Sequence, residues 1–360
     1  MKICILIMGL SPCRIELFNR LRKKGIDIIV TEEFGETELD YDFSKGWKIP
    51  GFSRRIPKHW KKLTKYDIII SYDVCSAHTW LAFLIAKCYK KQFILWNELW
   101  VWPEVNKVKL VKLWMEYIMT NSDGYIAAGT KAKELFMKYK VPNEKISVAY
   151  SASEDMNKNS IKKLNIPINI KNKRVILYMS RVVPYKGLDI LLNAFKIIKK
   201  KRKDCVLLIG GDSNQYNFKA KCISKIIEID ENDIYFIGNI PHDLVASYYN
   251  LCDVFVLPSK FIMKDIVPCE AWGVVLNEAM SLGKPIVSTD AVAASFDLIK
   301  GNGYIAKEGS AKSLAYGIEK TLKQSKLKGR KSKIIIEDIN FDNMVKSFME
   351  AIYNVRRKKI

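Results

Sequence analysis

Residues 174–189 read Arg-Val-Ile-Leu-Tyr-Met-Ser-Arg-Val-Val-Pro-Tyr-Lys-Gly-Leu-Asp. Arg174–Met179 is a short apolar run of strand length. A loop with two cations, Arg181 and Lys186, follows it, and Gly187 permits a tight entry to the next element. From Leu188 to Lys200 the apolar residues recur at helical spacing. Strand, loop and helix in that order are the first half of a βαβ unit, and the rhythm continues downstream. Strands are predicted at Cys205–Ile209, ending in Gly210-Gly211-Asp212, and at Ile234–Ile237, Asp253–Leu257 and Pro285–Ser288. Helices are predicted at Pro241–Leu251, Val274–Leu282, Ser310–Gln324 and Phe341–Arg356.

The same alternation runs upstream. Lys2–Met8, Ile26–Thr31, Tyr66–Ser71, Gln92–Trp96, Gly124–Ala128 and Lys145–Ala149 read as strands. Ser11–Lys24, Cys75–Tyr89, Lys107–Thr120 and Thr130–Tyr139 read as helices between them. Short apolar strands alternating with amphipathic helices indicate a parallel sheet covered on both faces. Ser151–Lys173, rich in Ser, Asn and Lys, interrupts the pattern. The expected fold is therefore α/β with two Rossmann-like domains facing each other across a cleft. Residues 1–155 form one, 156–172 a linker and 173–338 the other, and 339–360 a helix packing back on the first. A length of 360 residues suits two domains.

Composition narrows the classes. Hydrophobic residues make up 49% and charged ones 27%, the balance of a soluble globular chain. No apolar run has the length of a membrane span, and Lys2–Met8 reads as a first strand, not a signal peptide. The eight cysteines (4, 13, 75, 88, 205, 222, 252, 269) form no Cys-x-x-Cys pair, and the three histidines (59, 78, 242) do not cluster with them. This argues for reduced, buried thiols, no zinc site and a cytoplasmic location. The net charge of +22 favours anionic partners: phosphate-bearing ligands, an acidic membrane or nucleic acid.

Open α/β sheets bind ligands at the carboxyl ends of their strands. Arg181 and Lys186, leaving one such loop, suit a diphosphate clamp that neutralises a leaving nucleoside diphosphate. The second cluster is Glu270-Ala-Trp-Gly273-Val274-Val275-Leu-Asn277-Glu278. Gly273 lets backbone approach a ligand, the amides of Val274 and Val275 open a helix, and the two carboxylates can accept from sugar or ribose hydroxyls.

Arg181 and Lys186 with four residues between them, and Glu270 and Glu278 with seven between them around a Trp-Gly turn, resemble the donor-site motifs of glycosyltransferase family 4. Family members are retaining, metal-independent enzymes of the GT-B fold. The resemblance runs in order from about Arg174 to Thr321 through Phe236-Ile-Gly238-Asn239, Asp253-Val-Phe-Val-Leu-Pro-Ser259, Gly283-Lys-Pro-Ile-Val and Gly301-Asn-Gly303-Tyr. It implies a hexosyltransferase with a UDP- or GDP-sugar as donor substrate and no other cofactor. Arg181 and Lys186 would hold the diphosphate, Glu278 the ribose and Glu270 a donor-sugar hydroxyl. The amides of Gly273–Val275 would support sugar and phosphate. Gly238 and Asn239 would flank the base, Gly210 would pass close to the nucleotide, and Gly9, after the first strand, would face the phosphates. Since Arg181 and Lys186 supply positive charge, no metal is expected.

The first half departs from the pattern. Where many members carry a His after the fourth strand, this chain has Trp96-Asn97-Glu98, and Ser151-Ala-Ser-Glu154 replaces Asn-Gly-Val-Asp. The acid–base residue and the acceptor are thus left open. Glu98 can bond an acceptor hydroxyl or be a surface loop residue, and the tryptophans 96, 100, 102 and 114 can stack on a sugar or pack together. Family habit and charge point to a glycan or lipid-linked acceptor. The basic, aromatic segment Arg54–Lys65 reads as a contact for an anionic membrane surface, which would place the protein on the inner face of the membrane. Two rivals share features of this reading. A nucleotide-sugar epimerase has the same architecture. A nucleic-acid-binding non-enzyme would use the charge, but the basic runs Lys199–Lys203, Lys326–Lys333 and Arg356–Lys359 lack interleaved aromatics, so no nucleic acid is expected.

Overall fold

Runs of Ile, Leu, Val and Phe flanked by turn residues form the strands of two parallel sheets in the computed structural model. It describes residues 1–31, 42–43, 46–48, 55–57, 60–102, 109–212, 229–261 and 270–357. The chain divides into two units, one gathering Met1–Ala152 and Asn340–Ile360, the other Ser153–Met263 and Val267–Ile339.

In the first unit the strands are β1 (Ile3–Ile7), β2 (Ile26–Val30), β3 (Asp42–Phe43), β6 (Ile68–Tyr72), β7 (Gln92–Asn97), β8 (Gly124–Ala127) and β9 (Ile146–Val148). They form one sheet in the order β3-β2-β1-β6-β7-β8-β9, every pair parallel. A separate antiparallel pair joins β4 (Gly46–Lys48) to β5 (Arg55–Pro57). Helices α1 (Ile15–Lys23), α2 (Ala77–Cys88), α3 (Lys109–Asn121) and α4 (Thr130–Lys138) connect the strands. The fully buried Trp96 sits edge-on to Phe18, Tyr72 and Phe348, with ring centroids 6.3, 4.8 and 5.0 Å away. Phe348 lies on the last helix, Phe341–Arg357, whose Phe341, Met344, Val345, Phe348, Ala351, Ile352 and Val355 enter this core. Each such aromatic pair adds about 0.5–1.5 kcal/mol beyond area burial. That accounts for a helix encoded at the end of the chain belonging to the first unit.

In the second unit β10 (Arg174–Met179), β11 (Cys205–Gly210), β12 (Ile234–Gly238), β13 (Val254–Leu257), β14 (Ile286–Thr289) and β15 (Gly303–Ala306) form a parallel sheet, ordered β12-β11-β10-β13-β14-β15. Its helices are α5 (Leu188–Lys201), α6 (His242–Leu251), α7 (Val275–Ser281), α8 (Ser295–Leu298), α9 (Ala311–Leu322) and α10 (Ser325–Glu337), so the last helix of the chain is α11. Both sheets reverse direction of growth at one place, between β1 and β6 in the first and between β10 and β13 in the second. Ligand crevices open at such switch points.

The segment read as a membrane contact falls partly outside the described residues, which omit Arg54, Lys58 and His59. Of the rest, Arg55–Pro57 is β5, and Trp60–Lys65 is a 3-10 turn with Leu63 buried and Trp60 packed against the core. No described helix is long and apolar enough to cross a membrane.

Candidate functional site

The loop after β10 begins at the switch point of the second unit. Gly187 enters α5 with φ +70, and a Cβ there would lie 1.9 Å from the Pro258 carbonyl oxygen at the end of β13. Only glycine lets the two loops meet this closely. Gly211, at φ +112, abuts the Ser180 carbonyl in the same way at 2.0 Å. The Tyr178 hydroxyl donates to the Arg181 carbonyl at 2.9 Å, and the Lys260 amide to the Tyr185 carbonyl at 2.8 Å. The cationic loop is thereby tied to the ends of β10 and β13.

Its cations behave differently. Lys186 is buried, and its Nζ donates to Oε2 of Glu270, 84 residues away. The two side chains keep only 9% and 15% of their exposure. Arg181 is exposed and donates from Nη2 to the Tyr185 hydroxyl at 2.6 Å. Tyr185 lies under both, its ring centroid 6.0 Å from Arg181 Cζ and 5.3 Å from Lys186 Nζ. An exposed guanidinium and a buried ammonium beside one aromatic ring suit an anion with two charged groups.

Glu270 is positioned by backbone as well. Its carbonyl accepts from the Ala293 amide at 3.1 Å. Gly273 turns beside it at φ +81, a left-handed backbone that favours glycine, and a Cβ there would be 2.6 Å from Leu257 Cδ2 and 3.5 Å from Glu270 Cγ. Trp272 Nε1 donates to Asn277 Oδ1 at 3.0 Å, which pins this turn to α7. Val274 precedes that helix and Val275 opens it, with Glu278 in its first turn. Burial holds the Glu278 carboxyl above its ordinary range, opposed by a hydrogen bond from the Tyr249 hydroxyl at 2.8 Å. Tyr249 itself is fully buried, and its pKa is pushed well up by burial and then by Glu278.

The remaining predicted positions lie at neighbouring strand ends. Gly210 closes β11, where a Cβ would be 2.5 Å from Ile240 Cδ1. Gly238 ends β12 at φ +78 with open space around it, and Asn239 is exposed. Gly9 follows β1 in the first unit. The second unit thus brings Lys186 to Glu270 and Arg181 to Lys186 through Tyr185. Sequence reasoning missed Tyr185, Tyr249 and the part-buried ion pair of Lys260 with Asp189 at 3.0 Å.

At the switch point of the first unit, Glu98 is held and not a free loop residue. Arg14 Nη2 donates to Glu98 Oε1 at 2.5 Å and the Tyr72 hydroxyl to Oε2 at 2.8 Å. The Arg14 guanidinium lies 4.4 Å from the Tyr72 ring centroid and 5.1 Å from that of Trp96. Burial disfavours the Arg14 charge, but Glu98 and then Tyr72 outweigh it and raise its pKa. Burial pushes the Tyr72 hydroxyl up. Trp96 is buried, so it offers no face to a sugar.

Among the described residues no group of three or more His, Cys, Asp or Glu is placed to hold a metal ion. The sequence does contain one Asp-x-Asp triplet, Asp40-Tyr41-Asp42, of which only Asp42 is described.

Residues 159–337 match the model of the family described as glycosyl transferases group 1. A capsular polysaccharide biosynthesis glycosyltransferase, CapM of Staphylococcus aureus, is 28% identical over 51% of this chain and 47% of its own. A lipopolysaccharide 1,2-N-acetylglucosaminetransferase of Salmonella typhimurium is 23% identical over 66% and 64%. The chain thus spans about half to two thirds of the length of these curated relatives. Among solved structures, Anabaena HepE in complex with UDP superposes with a TM-score of 0.79 at 16% identity, covering 98% of this chain and 100% of that one. That likeness shows the fold, two Rossmann-like units of the GT-B class. With its matching motifs carried on this architecture, the chain belongs to the glycosyl transferases group 1 family.

Proposed function

We propose that the chain is a retaining hexosyltransferase of the family 4 type, moving a sugar from a UDP- or GDP-sugar to a hydroxyl of a glycan or lipid-linked acceptor. The observation that carries this reading is the contact of Lys186 with Glu270, which joins the two motifs at one switch point. Arg181 and Lys186 take the diphosphate, and Glu278 accepts from the ribose hydroxyls. Glu270 accepts from a donor-sugar hydroxyl, with Gly273, Val274 and Val275 beside it. Gly210, Gly238 and Asn239 border the base, and Gly9 approaches the phosphates. When the bond from the anomeric carbon to the phosphate oxygen breaks, both electrons go to that oxygen, and the two cations neutralise the charge that forms. The acceptor oxygen then bonds the same face of the anomeric carbon, and its proton passes to the leaving phosphate. Glu98, fixed by Arg14 and Tyr72, orients the acceptor hydroxyl.

The neighbour's bound UDP and the relatives' names support a nucleotide-sugar donor and a surface-polysaccharide acceptor. The cations make a metal unnecessary in this scheme. A peripheral site on an anionic membrane, expected from charge, belongs to the same proposal. The test is a thermal-shift panel of UDP, GDP, ADP and CDP sugars, with and without EDTA. A ligand at about 100 times its Kd stabilises by about 2.7 kcal/mol. One base class should stabilise the protein equally in both conditions. No shift with any member would end this reading, and a shift abolished by EDTA would end its metal-independent form.

A further inference from the structure

Helix α10 has its size pattern inverted. Its buried residues are Ser325, Lys328, Gly329 and Ser332, whereas Leu327 and Ile334 are 52% and 66% exposed. Small residues let the helix lie directly on the turn after α7: a Cβ on Gly329 would be 2.1 Å from the Gly283 carbonyl oxygen. Asn302 Nδ2 reaches Ser332 Oγ at 3.1 Å and fastens the same side. Leu327 and Ile334, seven residues apart, therefore share the outward face. A core helix would be built the other way round.

The outward face is also cationic. The exposed cations of α10 are Lys326, Arg330, Lys331 and Lys333, against the single carboxylate Glu337 at its last position. Among the described residues no carboxylate forms an ion pair with any of these four cations. Lys328 buries its stem and caps the Lys320 carbonyl at 3.2 Å. Burial first, then the like charges of Lys320 and Lys331, hold its pKa below the ordinary lysine value. Crowding four cations around one carboxylate costs folding energy, so an anionic partner offers relief. Exposed aliphatics between them fit a partner with an apolar interior, which a polyphosphate chain lacks.

We infer that the outward face of α10 docks on an anionic lipid bilayer, with Leu327 and Ile334 entering the acyl boundary and the surrounding lysines and Arg330 meeting lipid phosphates. This places the membrane contact of the proposed function on α10 in place of the Arg54–Lys65 segment, and it needs no nucleotide. The experiment is flotation of the full chain with neutral phosphatidylcholine vesicles and with vesicles containing about 30 mol% phosphatidylglycerol. The wild type should float only with the anionic vesicles and detach at about 0.5 M salt. K326Q/R330Q/K331Q/K333Q should lower partitioning at least ~50-fold. L327S/I334S should lower it about tenfold or more. Both variants must keep the wild-type melting temperature within a few degrees, and binding of a random oligonucleotide is measured alongside. Equal flotation with neutral vesicles would overturn the inference. So would an unaffected charge variant, or loss confined to K61Q/K62Q/K65Q. Full retention by L327S/I334S with strong oligonucleotide binding would make the face a polyanion site instead. A chain that floats but binds no nucleotide sugar would refute the transferase reading and leave this one standing.

Discussion

Replacing Tyr249 by Phe removes one hydroxyl from the centre of the proposed ribose site. That hydroxyl donates to Glu278 at 2.8 Å and is completely buried. Burial raises the Glu278 carboxyl above its ordinary value, and the Tyr249 bond works in the opposite direction by favouring the carboxylate. A hydrogen bond to a charged group is worth about 1.5–3 kcal/mol. Its loss removes the one hydrogen bond that opposes burial, so the carboxyl climbs further above its ordinary value. Ribose hydroxyls need the carboxylate as acceptor, so nucleotide affinity should fall on acidification through the Glu278 pKa. Calorimetric titration of the preferred nucleoside diphosphate across the acid-to-neutral range reads this directly. Tyr249→Phe should shift the midpoint to higher pH, while affinities at alkaline pH converge. Apo stability has the opposite slope. A carboxyl with a raised folded pKa binds more protons when native, so its contribution is complete below the unfolded value. It is lost as pH rises through the folded one. Superimposable binding profiles for the two proteins would refute the reasoning, because either the bond or the role of Glu278 would be absent.

The Lys186–Glu270 pair predicts coupling. Each of Lys186→Gln and Glu270→Gln should cost about 2–4 kcal/mol of stability in denaturant unfolding, and the double variant at least ~1 kcal/mol less than their sum. Additive costs would mean that the contact carries nothing. Gly187→Ala places a methyl against the Pro258 carbonyl at positive φ and should lose more than about 3 kcal/mol, seen as a fall in Tm of about 6 °C or more. An unchanged Tm would contradict the close approach of the two loops. Glu98→Gln keeps the shape but removes the charge that Arg14 faces. It should cut transfer to acceptor about 100-fold or more while nucleotide affinity stays within about threefold. Equal loss of both would place Glu98 outside acceptor handling.

The architecture could be read because its strands are buried on both faces and stand out as apolar runs such as Cys205–Ile209. The donor loop was legible for a local reason: Arg181, Lys186 and Gly187 fall within seven residues, before a helix whose spacing is plain. The partners that complete the site were not. Tyr249 sits in an apolar stretch of α6 and reads as core, and only the fold aims its hydroxyl at Glu278. Arg14, Tyr72 and Glu98 are separated by 58 and 26 residues and meet because three strands end side by side. The strand β15 was hidden by its glycine. Gly303 is required there because a Cβ would lie 1.8 Å from the Ile286 carbonyl oxygen, and glycine weakens any strand pattern. Helix α10 was seen only as a basic run, since its inward face is Ser and Gly and shows no apolar stripe.

The central claim is that the loop after β10 holds a diphosphate, and calorimetry on the wild type and on Lys186→Gln tests it most directly. With the nucleoside diphosphate that the panel selects, and with the bare nucleoside as reference, the variant should lose about 30-fold or more on the diphosphate and nothing on the nucleoside. A folded variant that binds the diphosphate as tightly as the wild type would contradict the account.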